Sequence, residues 1–191
     1  MPMKMEQSVP KCQHIKFRCW GTTQKKAYYR VQFVSDRVSF IVLRGCWCNI
    51  IVLNMHTPSE EKIDDSKDSL YKELKQVFYH FPKYHMKILL GDFNAKVGRE
   101  NIFKTTIGNE SLHQDSNDNS VRTVNFATLK NLVVKNRMFP HRNIHKYNWT
   151  SPDGNTHYID HILIDRRRQS SVLDVRSFRG PLCDTDNYLV V

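Results

Sequence analysis

The sequence lacks the long apolar runs and repeats that define several common protein classes. No apolar run approaches the roughly 20 residues that a membrane-spanning helix needs. The first ten residues contain no apolar stretch of the kind found in secretory signals. No internal repeat or low-complexity tract occurs among the 191 residues. These absences predict an intracellular protein, in the nucleus or the cytoplasm, with a length that suits one domain.

Cysteine is also scarce and irregularly spaced. Cys46 and Cys48 are one residue too close for a C-x-x-C motif, and no second pair accompanies them. An odd total of five cysteines without a secretory signal favours reduced thiols. We therefore expect structural or incidental cysteines rather than a zinc site.

Positive charge is the main compositional excess, and it is unevenly distributed. The net charge is +10; residues 1–30 carry seven Lys or Arg against one acid, and residues 31–129 carry twelve of each. The charge allows a polyanionic partner such as DNA. A basic leader on an otherwise mildly charged domain explains most of the same total.

Helical and strand patterns alternate along the chain. Ser59 is predicted to cap a helix that Pro82 ends, and Asn119 to cap a second helix over residues 120–130. Short apolar runs predict strands over residues 29–35, 38–43, 47–55, 86–90, 132–134, 147–150, 158–165, 172–178 and 188–191. The mixture predicts an α/β sandwich with a mixed β-sheet.

Polar residues stand at four places where a predicted strand meets a loop, which is where functional side chains tend to lie. Asp92 and Asn94 are two residues apart, so in extended backbone they would point the same way. Such a pair could activate and hold a water molecule, or it could form an Asx-turn that merely ends the strand.

The other three places carry weaker signals. Asp160 lies in a strand that is apolar on both faces, where a carboxylate needs a partner; it could orient a histidine or bond to backbone. Asp184 and Asp186 form an acidic loop that suits Mg²⁺, although such loops are common. His56 could donate to a phosphate or be an ordinary surface residue.

Taken in order, these motifs resemble those of the endonuclease/exonuclease/phosphatase superfamily. Within it, the chain looks most like the endonuclease domains of long-interspersed-element (LINE) retrotransposons and the craniofacial development protein 2-like group derived from them. The resemblance covers about residues 28–191, and residues 1–27 read as a non-matching, poorly ordered leader. The segments that carry it are Asn54–Pro58, Gly91–Asn94, Trp149–Thr150, Ile159–Leu163 and the loop that contains Asp186.

The resemblance implies a four-layer α/β sandwich with two mixed sheets, incomplete at its N-terminus, and Mg²⁺- or Mn²⁺-dependent hydrolysis of DNA phosphodiester bonds. It implies that Asp92 activates the attacking water and that Asn94 positions it. It further implies that Asp186 binds the metal and that Asp160 orients the residue after Asp186. His56 stands where many relatives have a tyrosine that contacts phosphate.

Two departures from the family pattern predict impaired catalysis and weak metal binding. The residue after Asp186 is Asn187 rather than the usual catalytic histidine, and an amide can neither carry charge nor transfer a proton near neutral pH. His161 does not replace it, because successive strand residues face opposite sides. The family's N-terminal segment, which supplies a metal-binding glutamate, has no counterpart in residues 1–27.

Two alternatives to an active nuclease therefore stay open. The chain could be a non-catalytic pseudoenzyme that binds nucleic acid, or a retroelement remnant without a selected role. In the binding alternative, the residues expected to contact phosphates are Arg137, Arg142, Lys146 and Arg166, Arg167 and Arg168.

Overall fold

The computed structural model describes residues 29–45, 47–99, 104–111, 113–178 and 187–191. Residues 1–27, four of the five cysteines, and Asp184 and Asp186 therefore lie outside the described residues. The helices are α1 (Asp64–His80), α2 (Lys104–Ile107) and α3 (Asp118–Leu129). The strands are β1 (Tyr29–Phe33), β2 (Val38–Leu43), β3 (Ile50–His56), β4 (Met86–Asp92), β5 (Leu132–Val134), β6 (Trp149–Thr150), β7 (Thr156–His157), β8 (Asp160–Asp165), β9 (Ser177–Phe178) and β10 (Leu189–Val190).

Six of the strands form one mixed sheet in the order β1-β2-β3-β4-β8-β5. Strands β3 and β4 run parallel, as expected for strands joined through a helix, and the other neighbours are antiparallel. Two further antiparallel pairs, β9 with β10 and β6 with β7, lie outside this sheet. The mixed α/β class predicted from the sequence is confirmed.

The two faces of the six-stranded sheet pack against different layers. One face packs against α1 and α3 through residues such as Leu53, Leu74 and Phe126. The opposite face packs, through residues such as Ile88, against Val175, which precedes β9, and Val190, which lies in β10. Burial of each such side chain contributes about 1.5–3 kcal/mol, so the sheet is fixed between two apolar layers.

Helix α1 follows the predicted apolar face but begins later than predicted. Leu70, Leu74 and Phe78 are buried, and the helix ends before Pro82 as expected. Ser59 is not its N-cap: the N-cap position is Ile63, which is 74% exposed and forms no side-chain capping bond. Residues 59–62 instead form a turn, in which Lys62 N donates to Ser59 O.

Helix α3 is capped by Asn117, two residues before the predicted cap. The Asn117 side chain accepts a hydrogen bond from Ser120 N at 3.0 Å. Asn119, the predicted cap, lies inside the first turn and is completely buried. Both residues are asparagines, a residue type that favours helix N-caps, so the sequence could not decide between the two positions.

The β1 side of the sheet carries exposed apolar residues. Val31 is 48% exposed and Phe33 74% exposed, both on the edge strand, and Ile41 on β2 is 36% exposed. Within the described residues, the layer formed by β9 and β10 packs against the sheet on its β4–β8 side and not on its β1 side.

Gly91 allows β3 and β4 to approach each other just before the strand ends. Its φ is +141°, and a Cβ added there would lie 1.9 Å from the Met55 carbonyl oxygen. We expect Gly91→Ala to lower the free energy of unfolding by about 3 kcal/mol, because the two strands would have to separate. Urea unfolding followed by circular dichroism measures this loss.

Gly154→Ala is the matched control. Gly154 also has a positive φ, +83°, but no atom lies within 4 Å of an added Cβ. Its substitution should cost about 1 kcal/mol, the backbone strain alone. Equal losses for the two variants would show that the close approach at Gly91 is unimportant.

Candidate functional site

Three of the predicted site residues lie in one row across the end of the sheet. In the strand register His56 is opposite Asp92, and Asp92 is opposite Asp160. Directly opposite residues share a face and have Cβ atoms about 5 Å apart. The end of the core strands therefore presents one imidazole and two carboxylates side by side.

His56 and Asp92 interact directly. Their Nδ1 and Oδ2 atoms are 3.5 Å apart, and the side chains are 59% and 34% exposed. The hydrogen bond to the Asp92 carboxylate raises the pKa of His56; partial burial and Arg37 oppose the shift, and Asp160 adds to it. The row is therefore a place where a positive charge is favoured.

Asn94 adopts a geometry that extended-strand reasoning did not predict. Its φ is +47°, so it does not continue the alternation of β4. Its backbone N–H donates to Asp92 Oδ1 at 2.9 Å, which is the Asx-turn that the spacing allowed. Its side-chain Nδ2 donates to the Thr57 carbonyl oxygen at 2.7 Å, which leaves its Oδ1 as an acceptor.

Backbone contacts of Asn187 and Tyr188 connect them to the segment that precedes the row residue Asp160. It forms an isolated antiparallel bridge with Trp149, and its own side chain is exposed. Tyr188 N donates to Asn148 O at 2.7 Å, and Ile159 N donates to Asn148 Oδ1 at 2.8 Å. The buried Asn148 thus joins the neighbour of Asn187 to the neighbour of Asp160.

Sequence reasoning missed several residues that support this site. Arg37, between β1 and β2, places a cation beside His56, with Nη1 3.5 Å from the His56 carbonyl oxygen. Asn148 carried no signal beyond its place before Trp149. The sequence predicts Asn119 only as a helix cap and does not single out Asn117, because their bonds to distant loops leave no pattern in the sequence.

His161 lies on the other side of β8 from the row, as its position after Asp160 predicted. It is 1% exposed. A carbonyl oxygen can only accept, so Nε2 donates to Ala95 O at 2.8 Å and Nδ1 accepts from Asn136 Nδ2 at 2.9 Å. Burial lowers the pKa of His161 to about 4. This neutral, hydrogen-bonded imidazole therefore cannot act in place of the histidine that the family resemblance implies at position 187.

Several basic residues predicted to contact phosphates are engaged elsewhere. Arg137 is 3% exposed, so the prediction is wrong for it. Lys146 pairs with Glu110, and Arg167 pairs with Asp165 at 2.6 Å. The helical turn Arg166–Ser171 follows the far end of β8, about 20 Å from Asp160 at 3.3 Å per strand residue. Arg142 is exposed.

The described residues offer oxygen donors but not a complete cation site. Carboxylates such as those of Asp92 and Asp160 are the ligands that Mg²⁺ prefers. Within the ranges that the structure describes, no group of three or more His, Cys, Asp or Glu is placed to hold a metal ion. The predicted metal ligand, Asp186, lies outside the described residues.

Two solved structures share the fold of this chain. The solved endonuclease domain of TRAS1, a telomere-specific non-LTR retrotransposon, is similar with a TM-score of 0.59 at 11% identity, over 85% of this chain and 64% of that one. An endonuclease/exonuclease/phosphatase family protein from Leptotrichia buccalis is similar with a TM-score of 0.51 at 13% identity, over 87% and 58%. The chain therefore has the endonuclease/exonuclease/phosphatase fold, as the sequence resemblance implied.

A comparison of sequences also finds a similar protein. The chain is 29% identical over 158 residues to craniofacial development protein 2 from Bos taurus, which covers 82% of this chain and 26% of that protein. It thus spans about a quarter of the length of this relative. No protein-family model matches the chain. None of the described helices is both long and apolar enough to cross a membrane.

The two histidines on opposite sides of β8 should titrate differently. We expect NMR titration to give His56 a pKa above its ordinary value of about 6.5 and to show His161 neutral down to about pH 4. Asp92→Asn should lower the pKa of His56 and leave that of His161 unchanged. A pKa of His56 that does not respond to Asp92→Asn would contradict the pairing.

The directions of these two pKa shifts determine how the contributions of His56 and His161 to folding stability change with pH. The His56–Asp92 pair stabilises below about pH 6.5, and its contribution is lost as the pH rises through the raised pKa. It is small because both side chains are partly solvated, with 59% of His56 and 34% of Asp92 exposed. Neutral His161 stabilises above about pH 6.5, and its contribution is lost as the pH falls toward 4.

Proposed function

We propose that the chain is a nuclease-type phosphodiesterase domain that acts on DNA and that Asn187 impairs its catalysis. The observation that carries the proposal is the row of His56, Asp92 and Asp160 at the end of the core strands. The turn that fixes Asn94 lies directly after it. An acid–base pair, a second carboxylate and an amide acceptor at one sheet end are the groups that phosphodiester hydrolysis needs.

Each of the described groups has a role that its contacts permit. Asp92 would accept a proton from the attacking water at Oδ2, since Oδ1 is held by the Asn94 N–H and His56 Nδ1 lies 3.5 Å from Oδ2, at the outer limit of a hydrogen bond. Asn94 Oδ1 would accept a hydrogen bond from that water, because its Nδ2 is used by the Thr57 carbonyl. Protonated His56, beside Arg37, would donate to a non-bridging phosphate oxygen.

A divalent cation, Mg²⁺ or Mn²⁺, would neutralise charge on the phosphoryl oxygens when bound. The sequence assigns its binding to Asp186, and we retain that assignment as a proposal. Weak binding is expected, because the described residues do not complete a cation site.

Asp160 and Asn187 form the impaired part of the proposed site. Asp160 would orient a histidine at position 187, and the Asn148 link holds the two segments together. An asparagine amide can still donate a hydrogen bond to the phosphate, but it cannot transfer a proton. Loss of such a group lowers catalysis about 10²–10⁴-fold.

Restoring the histidine should restore the activity. We expect Asn187→His to raise the rate of Mg²⁺-dependent nicking of supercoiled DNA about 10²–10⁴-fold, because Asn148 links the neighbour of position 187 to the neighbour of Asp160. Asp92→Ala in the same background should abolish the gain, as should chelation of the metal with EDTA. Agarose gel electrophoresis of nicked plasmid measures the rates.

Asp65→Ala is the control for the loss of a carboxylate. Asp65 is an exposed acid on α1 and belongs to no part of the proposed site, so nicking should be unchanged. If neither the parent chain nor Asn187→His nicks DNA although both fold, the proposal of a repairable nuclease site fails.

Non-catalytic binding of nucleic acid is a second candidate, favoured by Asn187 and by the net charge of +10. Binding through phosphate contacts weakens as salt rises, with a slope of about 0.9 per contact. We expect Arg37→Ala to weaken DNA binding and to reduce this slope by about 0.9, since Arg37 lies beside the row.

Arg168→Ala is the comparison variant: the sequence alone predicts a phosphate contact for Arg168, but the residue is exposed near the opposite end of β8, away from the row. Its substitution should change neither the affinity nor the slope. Fluorescence anisotropy with a labelled duplex at several salt concentrations makes the measurement. Equal effects of the two substitutions would show that DNA does not bind at this end of the sheet.

A further inference from the structure

Asn94 is held in its left-handed conformation by hydrogen bonds from outside its own turn. Its carbonyl oxygen accepts from Asn117 Nδ2 at 2.9 Å and from Asn119 Nδ2 at 3.3 Å. A residue other than glycine adopts this conformation at a cost, so it persists where the surroundings fix it. The two donors come from the beginning of α3, more than twenty residues further along the chain.

Asn119 joins the two loops that border the site. Its Nδ2 donates both to the Pro58 carbonyl oxygen, at 3.0 Å, and to that of Asn94. Because carbonyl oxygens only accept, the nitrogen of this amide must face the two loops. Asn119 is completely buried, so water cannot replace these bonds.

Asn117 adds a second link and anchors it to the helix. Its Oδ1 accepts from Lys96 N at 2.9 Å and caps α3 through Ser120 N. Its Nδ2 donates to the Glu60 carboxylate at 2.7 Å as well as to Asn94. Each atom of this amide is therefore committed to holding the segment after β4 against the start of α3.

We propose that Asn119, assisted by Asn117, is a positioning residue that sets the conformation of Asn94 and thereby aims Asn94 Oδ1 at the attacking water. The catalytic part of this inference, the placement of Asn94 Oδ1, rests on the proposed function. The structural part, the conformation of Asn94, rests only on the hydrogen bonds described above. Neither asparagine belongs to the row of His56, Asp92 and Asp160, and both act through Asn94.

The structural part is tested by NMR on the full chain. In Asn119→Ala, the Cα and Cβ chemical shifts of Asn94 should move away from left-handed values. The Asn94 amide should exchange with solvent at least about tenfold faster, because the turn loses its buried anchor. Unchanged shifts and unchanged exchange at Asn94 would overturn the proposal.

Thr123→Ala is the matched control. Thr123 is also completely buried on α3, and its Oγ1 bonds to the Asn119 carbonyl oxygen and to Tyr71 rather than to Asn94. It should destabilise the chain without moving the Asn94 signals.

Asn117→Ser provides a second route if Asn119→Ala does not fold, because serine keeps the helix cap while losing the donor to Asn94.

The catalytic part is tested in the Asn187→His background. Asn119→Ala should lower kcat for nicking about 10²-fold and change KM less than threefold, since it displaces a positioning group rather than a binding surface. Thr123→Ala should leave kcat unchanged. Displaced Asn94 signals with an unchanged kcat would overturn the positioning role. Absence of nicking by the Asn187→His parent would count against the proposed function only, and the NMR result would still decide the structural part.

Discussion

The hydrogen-bonded ladder that joins β3, β4 and β8 is the constraint on which the site depends. It places His56, Asp92 and Asp160 opposite one another, and a shift of one residue in either pairing would turn one of them to the other face. The register is fixed by apolar residues on both faces of β4 and β8, which pack against α1 and α3 on one side and against the β9–β10 layer on the other. The core thus positions the polar row.

A second constraint acts where β4 gives way to a loop. Gly91 allows the backbones of β3 and β4 to approach, and Asp92 then closes an Asx-turn on Asn94. The amides of Asn117 and Asn119, at the start of α3, reach the same turn from the other side. The turn after β4 is therefore held by β3, β4 and the start of α3, which are distant in sequence.

The electrostatics of the row suit a negatively charged ligand only in part. Two carboxylates side by side repel an anion, whereas protonated His56 and Arg37 attract one. A divalent cation between the carboxylates and a phosphate would resolve this conflict, which is the physical reason for proposing metal-assisted chemistry. Under the proposed function, Asn187 would leave the arrangement one proton-transfer group short, so binding and catalysis would be separable properties of this domain.

The sequence by itself determined the features that depend on local spacing: the apolar face of α1, the buried character of β4 and β8, and the opposite directions of Asp160 and His161. It also carried the motifs that imply the fold. It misjudged the caps of α1 and α3, the extended geometry of Asn94 and the exposure of Arg137. Only the tertiary structure decided that His56, Asp92 and Asp160 share one row and that asparagines 117 and 119 hold the turn at Asn94. The physical reason is that periodicity is written along the chain, whereas register and buried hydrogen bonds arise between segments whose approach is set by the packing of the whole core.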